Sequence, residues 1–157
     1  MTLYLVRHAK AGDRSRWVGD DRDRPLTGKG EAQAAALAAR LAPLCTGDVV
    51  SSPYLRCVQT VEPLAAATGR TVRADERLAE DTGFAGALAL IGELPDGSVL
   101  CSHGDVIPET IAALQRRGCA IEGTPDWRKA SVWVLSREAG DDATTVTSAT
   151  AWPPPEV

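Results

Sequence analysis

The sequence predicts an α/β protein built on a mainly parallel sheet with helices on both faces. Three observations point there. Short apolar runs with the composition of buried strands recur along the chain. Segments with apolar residues at i, i+4 and i+7 separate them, and Gly, Pro and capping residues mark the junctions. Strands that alternate with helices pair in parallel, because each crossover needs a helix to bring the chain back to the same edge. At 157 residues the chain matches one domain with room for a real core.

Residues 2–6 (TLYLV) form the first strand. A polar segment rich in Arg, Asp and Gly follows over 9–24, long for a mere connection. Thr27 caps a helix expected over 31–44, where Leu37, Leu41 and Leu44 share a face. Residues 48–51 (DVVS) are the second strand. Ser52 and Pro53 then read as a cap and a first-turn proline, opening a helix that carries Leu55, Val58 and Val61, with a kink expected at Pro63 and an end at Gly69. A third strand is expected over 71–74, and Phe84, Leu88 and Ile91 mark a third helix. Residues 98–102 (SVLCS) give a fourth strand. Asp105 is the expected cap of a helix through Ile107, Ile111 and Leu114, closed by Gly118. Residues 131–135 and 144–148, joined by a turn at 139–142, read as an antiparallel pair added at the sheet edge. The domain is expected over 1–151, with 152–157 (WPPPEV) a disordered or surface tail.

Composition narrows the function. Apolar residues make up 44% of the chain but aromatics are scarce, so the core rests on Ala, Leu, Val and Ile. A net charge of −4 gives no electrostatic reason to expect a nucleic-acid polymer or an acidic membrane as partner. The first ten residues hold only a short apolar run before charge, and no stretch approaches a membrane span, so a cytoplasmic protein is expected. Cys45, Cys57, Cys101 and Cys119 lack metal-ligand or disulfide spacing and are expected as small buried hydrophobes. Asp20, Asp21 and Asp23 alternate with arginines and read as a solvated charge run, not a metal site.

Chemistry-bearing residues gather at the expected strand ends. The chain has two histidines, His8 and His103, and each stands just beyond a buried-strand run. Arg7 precedes the first. The second strand end adds Ser52 and Arg56, and the third adds Asp75, Glu76, Glu80 and Asp81. Open α/β sheets bind ligands beyond the carboxyl ends of their strands. Phosphoryl transfer requires donors around three oxygens that share negative charge, and Arg7, Arg56 and His103 are suited to that task. A neutral His8 could attack phosphorus, and a protonated carboxylic acid could serve the leaving oxygen.

Arg7-His8-Ala9, Leu26-Thr27-Gly28-Lys29-Gly30, Ser52-Pro53-Tyr54-Leu55-Arg56 with Gln59-Thr60, and Ser102-His103-Gly104 together resemble the histidine phosphatase superfamily. The order and spacing hold over nearly the whole chain. The resemblance implies a phosphoglycerate-mutase-like three-layer αβα sandwich, His8 as nucleophile, and a phosphate pocket of Arg7, Arg56 and His103. It implies Glu80, within Leu78-Ala79-Glu80, as proton donor. Asp105 is the alternative donor, because another branch of the superfamily takes its acid from just after the second histidine. Ala9 departs from the usual glycine. The chain is especially similar to the phosphatase domain found beside MutT-type Nudix hydrolases and to phosphohistidine phosphatases of the SixA type.

The expected partner is therefore a small phosphorylated substrate, with no metal ion and no cofactor implied. In the 9–24 segment, Arg14, Trp17 and Arg24 are candidates for gripping further phosphates and a base, although a plain surface loop fits the same residues. Trp127, Arg128 and Lys129 are open to the same two readings. Three functions stay open: a phosphatase of small metabolites such as nucleotides, a protein phosphohistidine phosphatase, and an inactive phosphate- or phosphopeptide-binding module. The oligomeric state is not legible.

Overall fold

The computed structural model describes residues 1–139 and 144–157. Its elements run β1 (Thr2–Arg7), α1 (Gly28–Leu41), β2 (Val49–Ser51), α2 (Leu55–Ala67), β3 (Arg73–Ala74), α3 (Ala85–Glu93), β4 (Val99–Ser102), α4 (Val106–Arg116), β5 (Ala120–Glu122), β6 (Val132–Ala139) and β7 (Thr144–Trp152). Short 3₁₀ turns at Asp21–Asp23 and Glu76–Leu78 sit in the loops after β1 and β3. The strands form one sheet in the order β3-β2-β4-β1-β6-β7-β5. Among the described strands, only β6 runs against the rest, pairing antiparallel with both β1 and β7. This is the mainly parallel sheet, covered on both faces, that the sequence predicts.

Each face of the sheet carries a core. On one, Tyr4, Val6, Val49, Val99 and Cys101 pack against α1 and α2 through Leu37, Leu41, Val61 and Leu64. On the other, Leu3, Leu5, Val50 and Leu100 pack against α3 and α4 through Leu90, Ile91, Ile107 and Ile111. The alternation along β1, with Leu3 and Leu5 to one side and Tyr4 and Val6 to the other, gives the three layers. All four cysteines are free and buried, as their spacing suggested. Among the described residues, no helix is long and apolar enough to cross a membrane.

Several expectations are corrected. The C-terminal strand pair is not an edge addition: β6 lies inside the sheet beside β1, and the edge is β5, a three-residue strand with no signature in the sequence. Trp152, assigned to the tail, closes β7, with its ring 6.0 Å from that of Tyr4 and beneath the Arg40 guanidinium. The third strand shrinks to two exposed residues at the opposite edge. Pro63 lies inside α2, and the helix stops at Ala67, just before Gly69, where an end was expected. The expected turn at 139–142 falls mostly on 140–143, outside the described residues.

Two predicted caps are spent elsewhere. Helix α2 begins at Leu55 with Tyr54 at its N-cap and no side-chain cap; the Ser52 hydroxyl, two residues earlier, meets the His103 ring at 2.8 Å and accepts from Tyr54 N at 3.3 Å. Helix α4 likewise lacks a cap from Asp105, whose Oδ2 accepts from the Asp81 backbone N–H at 2.8 Å. Thr27 does cap α1, accepting from Gly30 N at 3.1 Å.

Candidate active site

Strand register sets the site. Arg7 pairs with Ser102, and Ser51 pairs with both Cys101 and Ala74. His8, His103, Ser52 and Asp75 are the next residues along, so four adjacent strands deliver them at one level. The backbone continues the alignment, with His8 N donating to Ser102 O, Ser52 N to Cys101 O and Asp75 N to Ser51 O.

His8 is held in one tautomer. Its Nδ1 lies 2.8 Å from the Ala9 carbonyl, which can only accept, so Nδ1 carries the proton and Nε2 keeps its lone pair. Burial, opposed in part by that hydrogen bond and joined by the nearby charges of His103, Arg56 and Arg7, lowers its pKa from 6.5 to about 3. The imidazole is therefore neutral at physiological pH. Its loop is pinned from several sides. Ala9 N donates to Thr60 Oγ1, Lys10 N to Gln33 Oε1, Thr27 N to Lys10 O and Leu26 N to Gln59 Oε1. A Cβ at Gly30 would collide with the Lys10 carbonyl, so the glycine admits the first turn of α1 against this loop. The scattered residues Leu26–Gly30, Gln59 and Thr60 thus share one task, fixing the chain that follows the nucleophile.

Two arginines face His8 with unused donors. Arg7 gives Nη1 to the Trp127 carbonyl at 2.6 Å, and fully buried Arg56 gives its terminal nitrogens to Asp21 and Glu80. The Nε of each has no partner. Five buried side-chain polar atoms among the described residues lack a partner, and three of them, Arg7 Nε, Arg56 Nε and Asp105 Oδ1, belong to this site. Buried donors left bare cost stability unless a ligand meets them, and an oxyanion has the needed chemistry. Gly104 makes room for Arg7: a Cβ there would lie 2.7 Å from the guanidinium carbon.

Beside His8 opens a cavity of about 670 Å³, with Arg7, Arg14, Arg24, Glu80 and Asp105 among its walls. Arg56 and His103 lie behind that wall, 0% and 1% exposed. The rings of His8 and His103 meet edge-on at 5.6 Å, and Tyr54 packs on His103 at 4.7 Å. Glu80 accepts from Arg14 at 2.7 Å and from Arg56 at 3.2 Å. Among the described residues, no cluster of three or more His, Cys, Asp or Glu is arranged to hold a metal ion.

A model of the histidine phosphatase superfamily, branch 1, matches residues 3–86. The chain belongs to this superfamily. It is 38% identical over 146 residues to an 8-oxo-(d)GTP phosphatase of Mycolicibacterium smegmatis, covering 89% of this chain and 45% of that protein. The chain spans from 38% to 45% of the length of three curated relatives it matches. Among solved structures, it is similar to the protein histidine phosphatase SixA complexed with tungstate, with 25% identity, TM-score 0.66, and 87% of this chain and 88% of that one covered. A structure from Nakamurella multipartitia assigned to the SixA phosphohistidine phosphatases gives 28% identity, TM-score 0.68, and coverage of 98% and 95%.

Within this histidine phosphatase fold, most sequence-predicted residues converge and one does not. Arg7, His8, Arg56, Glu80 and His103 lie together, and Arg14 and Arg24 reach the same cavity from the 9–24 loop. Trp17 does not line the cavity; its indole N–H is spent on Asp20 O at 2.8 Å and its ring is half-exposed. Asp21 was missed. Read as one of a solvated run, it instead holds Arg56 through both its carbonyl and Oδ2, holds Arg24 through Oδ1 at 2.9 Å, and lies 3.7 Å from Arg14. Burial, the largest single effect, pushes its carboxyl up, but the hydrogen bonds and charges of Arg24 and Arg56 together hold it below its ordinary value. Nothing in the local sequence distinguishes Asp21 from Asp20 or Asp23, because its partner lies 35 residues away. Trp127, left open between two readings, has its ring 5.0 Å from that of Trp133 and its carbonyl on Arg7.

Proposed function

We propose that the chain is a phosphohydrolase that transfers a phosphoryl group from a small metabolite, a nucleotide in particular, to His8 and then to water. The observation that carries the proposal is His8 itself. It is neutral, its tautomer is fixed with Nε2 unprotonated, and two arginine Nε–H groups beside it are unpaired. In this reading Nε2 attacks phosphorus while Arg7, Arg56 and His103 take the charge on the phosphoryl oxygens. The bond to the leaving oxygen breaks, and Glu80 gives that oxygen a proton. An incoming phosphate displaces Asp21 and Glu80 from Arg56, which frees the Glu80 carboxyl to carry the proton it delivers. Water, deprotonated by Glu80, then attacks the phosphohistidine and releases inorganic phosphate.

Similarity to the 8-oxo-(d)GTP phosphatase supports the nucleotide substrate. Similarity to SixA structures supports a second reading, hydrolysis of protein phosphohistidine. Rapid-quench labelling should give an acid-labile, base-stable phosphoenzyme in wild type and none in His8→Ala, with turnover unaffected by EDTA. Substantial turnover by His8→Ala would refute the covalent route. A panel of nucleoside di- and triphosphates, sugar phosphates and phosphohistidine peptides then ranks substrates by kcat/KM, and a peptide above every nucleotide selects the second reading. Trp17→Ala raising KM for the nucleotide but not for p-nitrophenyl phosphate would give the exposed indole a part in base stacking.

A further inference from the structure

Beside the cavity lies a second, open cleft of about 650 Å³. Arg7, Lys10 and Lys129 line both, so the two adjoin. Lys29, from the first turn of α1, completes its cationic wall. Three of these cations are uncommitted. Lys10, Lys29 and Lys129 have no carboxylate within ion-pair distance among the described residues. Arg128, in the same cleft, is already bound to Asp126 at 2.6 Å. The loop arginines are committed too: Arg14 is paired with Glu80, and Arg24 with Asp21. The Lys129 ammonium is pushed below its ordinary value, first by partial burial and then by Arg7, Arg24, Lys10 and Arg56. Glu156 also lines the cleft but forms no ion pair with these lysines among the described residues, so the like charges still repel one another and a bound anion relieves that repulsion.

We propose that this cleft is a second anion subsite, holding the non-reacting phosphates of a substrate whose terminal phosphoryl group is transferred to His8. The proposal rests on the catalytic reading above and narrows it to a substrate class: compounds with two or more linked phosphates. Arg7 stands between the subsites and can contact both groups. In the reaction Nε2 bonds to the terminal phosphorus, the bridging P–O bond breaks, and the shortened phosphate chain leaves as an anion already balanced by the lysines. Water then cleaves the phosphohistidine, so the sum is hydrolysis of one phosphoanhydride. Lysine suits this role, being a mobile point charge that accommodates a flexible chain without the fixed fork of arginine.

Calorimetric titration with inorganic tripolyphosphate and orthophosphate, in metal-free low-salt buffer, tests the subsite without turnover. Tripolyphosphate should bind wild type about 10-fold or more tighter than orthophosphate, as expected for two or three added exposed charge pairs. In Lys29→Gln, at a residue that lines the second cleft but not the catalytic cavity, that advantage should shrink about 3-fold, with orthophosphate affinity changed little. A second measure needs no variant: the advantage should shrink steeply as salt is raised toward about 0.5 M. Equal binding of the two anions, or an advantage that survives Lys29→Gln or high salt in full, overturns the subsite. Failure of the catalytic reading is distinct, since His8→Ala would then keep its turnover whatever the calorimetry gives.

Discussion

The burial that keeps His8 neutral should be measurable as a pH-dependent loss of stability. An unfolded chain protonates His8 as pH falls through 6.5, whereas the folded protein resists until about 3. Between those values the unfolded state binds more protons, so stability present above pH 6.5 is lost progressively as the pH falls toward 3. At about pH 5, some 1.5 pH units below the unfolded value, the cost assigned to this one imidazole is ~2 kcal/mol relative to alkaline pH. His8→Gln keeps a polar side chain at the position and removes the titration. Urea unfolding of both proteins at about pH 8 and about pH 5 isolates the contribution: wild type should lose ~2 kcal/mol more than the variant on acidification. His103 is present in both and largely drops out of the difference. NMR gives the same answer directly, since only two imidazoles need assignment. An equal loss in both proteins, or a His8 ring titrating near 6.5, would refute the neutral nucleophile.

Two further substitutions probe the groups around it. Gly104→Ala forces the Arg7 guanidinium off its position by steric contact; kcat/KM for p-nitrophenyl phosphate should fall ~10- to 100-fold with the thermal midpoint little changed, and unaltered kinetics would remove Arg7 from phosphate binding. Glu80→Gln should slow an alkyl phosphate ~10²–10⁴-fold but p-nitrophenyl phosphate far less, because the phenolate leaves without a proton. If Asp105→Asn shows that selective loss instead, the donor is Asp105, whose Oδ1 also lacks a partner at the cavity wall.

The fold was legible where burial leaves a one-dimensional pattern. The apolar runs at β1, β2 and β4 and the helical spacing at α1 to α4 are consequences of a sheet covered on both faces. Strand β5 carries no such pattern, with Ala120 and Glu122 exposed and Ile121 only partly covered. Its existence depends on β7 offering a free edge, a fact about tertiary pairing. Caps failed for a related reason. Ser52 and Asp105 have the right chemistry and place for helix caps, but each had a second partner available, the His103 ring and the Asp81 amide, that only the folded chain brings near.

The site divides along the same line. Residue type and strand-end location were enough to place Arg7, His8, Arg56 and His103. They were not enough for the 9–24 loop, whose arginines fitted a substrate grip and a plain surface loop equally well. A guanidinium in a loop that also contains carboxylates forms its ion pairs before any ligand arrives, and Asp21 and Glu80 engage Arg14, Arg24 and Arg56 together. The loop's charge is thus spent on bracing the wall of the cavity. Beyond the free Nε–H groups of Arg7 and Arg56, the second cleft's cations without an ion-pair partner among the described residues are Lys10, Lys29 and Lys129, brought together from the nucleophile's own loop, the start of α1 and the segment before β6. Counting cations in a segment measures what a loop carries; only the pairing in three dimensions separates charge that holds the protein together from charge that remains to bind an anion.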